Sequence, residues 1–323
     1  MEKRDRTFLA ALAVFAVLCV GRFFEHTLNF HSAPMGILQQ YRFAELATAV
    51  YFAVLFLLYG IMLRKIEVKE KTIAYFMIAF LSVFAFPMYL PVNYFGAMDI
   101  YAWIALFMAA GCLIFERGEW LLVPLSLAAT AVSPMSLFGS QCMLVLLLFY
   151  RYWSTERKKY LWLGILSILA SFVGSGLTVA LRFFSTDAQQ VLSLRKFLVL
   201  AVMMCPYLLM VGTLFRGIFS AASRRMKKSY GLLLAGWIPA AAVYLIAADY
   251  SRVFYQVFFY FIFLILMMLT FGDTAVSSAM EKLKEKVLSW VPIPAVLIAY
   301  PFLFLTFWIS GPVPLLVEKI LGH

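Results

Sequence analysis

Blocks of uninterrupted apolar residues, each approaching the length of a bilayer crossing, recur along nearly the whole chain. They lie at approximately 7–24, 46–63, 72–90, 100–115, 120–133, 136–150, 160–181, 197–215, 231–248, 253–271 and 291–309. A hydrocarbon core of about 30 Å takes about 20 helical residues to cross, and lipid offers backbone N–H and C=O groups no partner. Such blocks must satisfy their own hydrogen bonds, as helices or as a closed barrel. Continuous apolar runs without period-two alternation exclude the barrel. Composition agrees, since 64% of the 323 residues are hydrophobic and 13% charged. A soluble domain carries roughly 45–50% apolar and about 25% charged residues. The expectation is an all-α, polytopic helical integral membrane protein of ten or eleven transmembrane helices, forming a single transmembrane domain over 1–323.

Charge orients it. With the N-terminus in the cytoplasm and the blocks alternating, the inner side holds 20 of the 27 basic residues, in segments 3–6, 64–71, 117, 151–159, 216–228 and 282–286. The outer side keeps Arg22, Arg42, Arg182, Arg195, Lys196, Arg252 and Lys319. Membrane potential and anionic inner-leaflet lipids both favour that partition. The net charge of +11 therefore belongs to short loops at a lipid surface and does not point to nucleic acid. The first apolar run is followed by Arg22-Phe23-Phe24 and no small-residue cleavage site, which reads as a retained span. The expected location is the cell (plasma) membrane, crossed many times.

Two segments depart from simple crossings. Blocks 120–133 and 136–150 are short and separated by Ser133-Pro134, where proline lacks a donor and clashes with the preceding turn. Two short spans or a re-entrant hairpin both keep 151–159 inside. Broken helices at membrane depth face protein or a watery cavity, so Thr130, Ser133, Ser136, Ser140 and Gln141 are candidate cavity lining; a kinked packing hairpin is the plainer alternative. Over 274–290, Val276, Met280, Leu283, Val287 and Trp290 recur at spacings of three and four among charged residues. That pattern predicts an amphipathic interfacial helix on the inner surface. The four cysteines lie inside apolar blocks without metal-type spacing and read as small buried hydrophobes.

Chemistry-bearing residues gather in the outer loops. Glu25, His26, His31, Arg42 and Glu45 follow the first span, a proline-rich second loop ends in Asp99, and Asp249-Tyr-Ser-Arg252 is compressed between two spans. Ionisable groups at membrane margins are costly unless paired or used. Asp99 is equally placed to cap the helix that begins at Ile100, and Asp249 with Arg252, three apart, to pair on one turn. Neither a Walker lysine loop, a glycine-rich dinucleotide turn nor a His-Glu-x-x-His spacing occurs, so no nucleotide is expected as cofactor or partner.

These features together resemble bacterial multispanning glycosyltransferases of the GT-C type and the related polysaccharide polymerases. The likeness rests on Glu25 directly after the first span, on the loop ending in Met-Asp99-Ile-Tyr-Ala-Trp, and on Asp249-Tyr-Ser-Arg252-Val-Phe, similar to an Asp-Trp-x-Arg-Trp segment. The chain departs from that family where Glu25 and Glu45 stand for the usual aspartate and Ser133-Pro134 for a His-Glu pair. The resemblance implies transfer of a sugar from a polyprenyl-phosphate-linked donor at the outer face. Glu25 or Asp99 would act as general base, and Arg252 with Arg42 would hold the leaving phosphate, with Asp249 orienting Arg252. Some members use a divalent metal, which these acids could hold although nothing in the sequence requires one. The competing readings are a lipid or glycolipid transporter (a flippase) and a non-catalytic membrane partner subunit. Membrane lipid is the common partner; the oligomeric state is not encoded in any feature above.

Overall fold

A computed structural model of the chain describes residues 44–66, 99–180, 208–209, 211–246 and 250–283, with Ala13 and Ala16 besides. Every regular element among them is helical. In chain order these are α1 (Ala44–Lys65), α2 (Asp99–Phe115), a 3-10 turn (Glu119–Leu121), α3 (Leu122–Val132), a second 3-10 turn (Pro134–Leu137), α4 (Ser140–Thr155), α5 (Lys158–Ala180), α6 (211–221), α7 (Arg224–Ala235), α8 (Ile238–Ile246), α9 (Tyr250–Thr270) and α10 (Thr274–Leu283). One described helix is long and apolar enough to cross a membrane, Lys158–Leu177 of α5, with a mean hydropathy of 1.7. The bent pair Phe259–Thr270 and Thr274–Lys282, which turns by 120° at the break, meets the same criterion when counted as one span. Ala49–Met62, Ile100–Phe115 and Glu119–Val132 are apolar but shorter.

Local chemistry sets the breaks. After α2, Glu116 and Gly118 both take left-handed backbone, φ 52° and 65°, which reverses the chain within three residues. Helix α3 ends at Ser133, in extended conformation (φ −136°, ψ 97°), because the Pro134 ring disfavours the helical region for the residue before it. Helix α4 stops at Glu156, also left-handed, whose N–H reaches the Tyr152 carbonyl at 2.8 Å. The block at 231–248 differs from expectation. A helix starts earlier, at Arg224, where the Ser223 side chain caps it by accepting from Met226 N–H, and it breaks at Gly236-Trp237 before resuming as α8. Pro239 supplies no N–H to the carbonyl four residues back. Two carbonyls at the break find other donors: Tyr260 O–H reaches Leu233 O at 2.6 Å, and Cys142 S–H reaches Gly236 O at 3.5 Å. A Cβ at residue 236 would stand 2.2 Å from Leu146 Cδ1 and from Tyr260 Oη, so any larger residue there must push those side chains aside.

Side-chain contacts give the helices their directions. Trp103 packs edge-on against Phe259 with ring centroids 4.8 Å apart, and one turn on Phe107 meets Phe263 at 6.3 Å. Ascending numbers pair with ascending numbers, so α2 and α9 run parallel. Helices α1, α2, α4 and α9 all finish at one end, where Lys65 Nζ donates to Ile114 O at 2.6 Å, Arg151 pairs with Glu116, and Tyr150 bonds Asp273. Helices α3, α5 and α7 start there, tied by Lys159 to Glu119, Tyr230 to Asp273 and Arg225 to Glu156. The core is aromatic and aliphatic, built on Tyr51, Trp103, Phe107, Phe215, Phe259 and the unbroken buried run from Phe259 to Leu269.

Helix α5 is turned inside out relative to a water-soluble helix. Its buried face carries Gly164, Ser167, Ala170, Ser171 and Gly174, while Trp162, Leu166, Leu169, Phe172, Val173 and Leu177 are each about half exposed. The small face allows close approach to α3: a Cβ on Gly174 would lie 2.3 Å from Thr130 Oγ1 and 2.5 Å from Leu127 O. Helix α10 shows the opposite arrangement. Val276, Ala279 and Met280 are buried against the bundle, with Ala279 on Gly217 of α6. The apolar face that the sequence assigns to lipid is thus covered by protein over 274–283, because the sharp turn at Gly272 (φ 77°) folds α10 back onto the helix ends. Residues 284–290 of the predicted interfacial helix lie outside the described residues.

Candidate functional site

The best-defined polar assembly sits at the basic end. Asp273 is its centre. One carboxylate oxygen, Oδ1, accepts from the backbone N–H groups of Ala275 and Val276 at 3.0 and 3.2 Å, capping α10. The other, Oδ2, accepts both the Tyr150 hydroxyl at 2.6 Å and the Tyr230 hydroxyl at 2.5 Å. Three separate chain regions therefore meet on one carboxylate. Above it, the Arg151 guanidinium lies 4.3 Å from the Phe271 ring centre and 5.3 Å from that of Tyr160. Arg151 also donates to Glu116, which takes Arg157 Nη1 on its second oxygen at 2.7 Å. Glu119 accepts Lys159 Nζ at 2.8 and 2.9 Å and the Tyr160 hydroxyl at 3.1 Å.

This arrangement orders helix ends. Glu116 and Glu156 sit at helix C-termini, where the macrodipole disfavours a carboxylate, and each is offset by arginine from another element. The Arg157 hydrogen bond, with the Arg151 charge, holds the Glu116 carboxyl below its usual 4.5. The Glu116 contribution is present above pH 4.5 and is lost as pH falls through its lowered folded value. Melting temperature of the purified protein should accordingly fall as pH drops below about 4.5, with Glu116→Gln flattening that acid limb. An acid limb unchanged in that variant would assign it to other carboxylates.

A second polar group lies between α3, α4 and α5. Thr130, Ser133, Ser136, Ser140 and Gln141 are all buried, with Ser126, Ser167 and Ser171. Thr130 Oγ1 back-bonds to Ser126 O at 2.9 Å, which is local helix chemistry, and Ser136 Oγ reaches back across the Ser133-Pro134 break to Ala129 O at 3.2 Å. Ser140 Oγ, both amide atoms of Gln141, and the Ser167 and Ser171 hydroxyls have no partner among the described residues. Beside Thr130 the space is taken by Gly174, so at that position the segment packs against a helix instead of lining a cavity.

Of the site residues expected from sequence, Glu25, Arg42 and Asp249 lie outside the described residues. Asp99 is the first residue of α2 and Arg252 stands in the first turn of α9, with only their backbones described. The parallel packing of these helices puts both first turns at one end of the bundle, opposite the basic cluster. From the Trp103–Phe259 contact, Asp99 lies four residues back and Arg252 seven, so they differ by only about 4–5 Å along the axis at 1.5 Å per residue. Among the described residues no group of three His, Cys, Asp or Glu could hold a metal. Asp273 was not among the sequence candidates, although Gly272-Asp273-Thr274 ahead of an amphipathic run is a helix-start signal. No family model, curated protein or solved structure matches this chain.

Proposed function

We infer that the chain is a multi-pass membrane protein with its basic end in the cytoplasm, and that its opposite, outer end handles a polyprenyl-phosphate-linked sugar as a GT-C-like glycosyltransferase would. The membrane reading is supported by α5, whose large apolar side chains face outward while its serines and glycines face inward. Water would invert that helix; lipid favours it, since small residues let membrane helices pack closely. The contacts joining segments 64–65, 116–119, 151–159 and 224–228 at one end agree with a single cytoplasmic face.

The observation that carries the catalytic reading is the parallel register of α2 and α9, with Asp99 and Arg252 in first turns at the same outer end. An acid and an arginine at one lipid-water boundary supply the two things the reaction needs, a base for the acceptor hydroxyl and a cation for the departing phosphate. In the topology expected from the sequence, Glu25, Arg42 and Asp249 belong to outer loops. The test is the full-length chain in proteoliposomes, supplied with a panel of polyprenyl-phosphate-linked hexoses and acceptor glycolipids. Sugar transfer should occur with donor in the leaflet facing the outer end. Movement of intact donor between leaflets without transfer would replace this reading with the transporter, and neither activity would leave a partner subunit.

A further inference from the structure

A groove opens on the bundle surface where α2 meets α3, with a volume of about 510 Å³, inside the roughly 300–1,000 Å³ typical of small-molecule sites. Met108, Gly111, Phe115, Leu121 and Leu125 form its walls, and Arg117 closes one end. Met108 and Phe115 are about half exposed, and Trp120 beside them is 71% exposed. The walls are thus apolar surface that water does not favour, ending in a cation.

The charges around this groove are segregated. Both acids of the α2–α3 turn face the bundle, Glu116 toward Arg151 and Arg157, and Glu119 toward Lys159 and Tyr160. Arg117, between them, has no carboxylate partner among the described residues and borders the groove. Its backbone is fixed, with its N–H on Cys112 O at 3.2 Å and left-handed residues on both sides. Across Phe115, Lys65 Nζ lies 5.6 Å from the ring centre and donates to Ile114 O, again without a carboxylate. One cation, Arg117, therefore lines the apolar channel, and Lys65 stands over the ring of Phe115, one of its wall residues.

The geometry points to a site for one anionic phospholipid of the cytoplasmic leaflet, its acyl chain along α2 and α3 and its phosphate at Arg117. This rests on the multi-pass reading above, since only that reading puts the groove in a leaflet. Anionic headgroups suit it by charge, and the interfacial position of Trp120 agrees.

Gly111 lines the groove and a Cβ built there meets nothing within 4 Å; Gly111→Leu puts apolar bulk at that wall, and an unchanged melting temperature checks that the fold is kept. The experiment is native mass spectrometry of the detergent-solubilised full-length chain, titrated with phosphatidylglycerol and with phosphatidylcholine of the same chains. Wild type should retain phosphatidylglycerol in preference. Arg117→Gln should weaken phosphatidylglycerol about fivefold and leave phosphatidylcholine unchanged. Gly111→Leu should weaken both about tenfold, as if roughly two methylenes were turned out of the groove. Lys227→Gln, an exposed basic residue outside the groove, should bind as wild type does.

Equal retention of the two lipids by wild type, equal loss in Lys227→Gln and Arg117→Gln, or a second protein copy in place of the lipid would each overturn the proposal. The underlying topology is read separately, by labelling a cysteine placed at 227 from either side of intact cells. Exterior labelling overturns the topology and this site with it; cytoplasmic labelling with unaltered lipid binding in both groove variants overturns the site alone.

Discussion

Asp273→Ala should lower the unfolding free energy by about 3–5 kcal/mol, more than any other single substitution at the basic end. Two phenol hydroxyls and two backbone N–H groups converge on this carboxylate. A hydrogen bond to a charged acceptor contributes about 1.5–3 kcal/mol, and loss of a helix cap costs typically about 1 kcal/mol. The site is half-buried, so the sum is discounted for water that can enter. Alanine also strands the Tyr150 and Tyr230 hydroxyls, whose rings are buried. Asp273→Asn should cost only about 1–2 kcal/mol, because asparagine caps as well as aspartate and keeps one acceptor oxygen. Thermal or denaturant unfolding of the purified protein in detergent measures both. If alanine and asparagine destabilise equally, the cap that asparagine preserves contributes nothing, and the carboxylate charge on the two tyrosine hydroxyls carries the whole effect. If alanine costs under about 1 kcal/mol, the three-way junction is not a support at all.

Much of the helical framework was legible in the chain because lipid-length apolar runs and their breakers are local signals. The apolar block at 100–115 corresponds to helix 99–115, the one at 160–181 to 158–180, and the Ser133-Pro134 interruption to the end of the helix at Val132. What sequence could not supply was pairing over distance. Tyr150 and Asp273 are 123 residues apart, and Arg157 and Glu116 are 41 apart, so nothing local to either links them. The break at Gly236-Trp237 was hidden for a related reason. Pro239 was visible, but helices tolerate proline when freed carbonyls find partners, and those partners, Tyr260 and Cys142, come from other helices. The same limit applies to the outer end. Their place at span ends singled out Asp99 and Arg252, yet only the ring contacts of Trp103 and Phe107 with Phe259 and Phe263 bring their two helices into register.

That register makes Asp99→Asn the most informative substitution in the chain. If Asp99 serves only as the first residue of α2, asparagine should be silent, since it is as good a helix cap as aspartate. If Asp99 is the base that takes the acceptor proton, asparagine cannot do so, and sugar transfer should fall about 10²–10⁴-fold with an unchanged melting temperature. Arg252→Ala should fall about 10²–10³-fold, as expected when a cation that stabilises developing phosphate charge is removed. Arg252→Lys should recover part of that loss, because lysine restores the charge but not the bidentate fork. A transporter would show another pattern, tolerating Asp99→Asn and losing donor movement in Arg252→Ala. Full activity in both variants would remove the acid–arginine pair from any mechanism. Glu25→Gln, read in the same assay, then decides which acid is the base: only one of the two should abolish transfer while leaving donor binding intact.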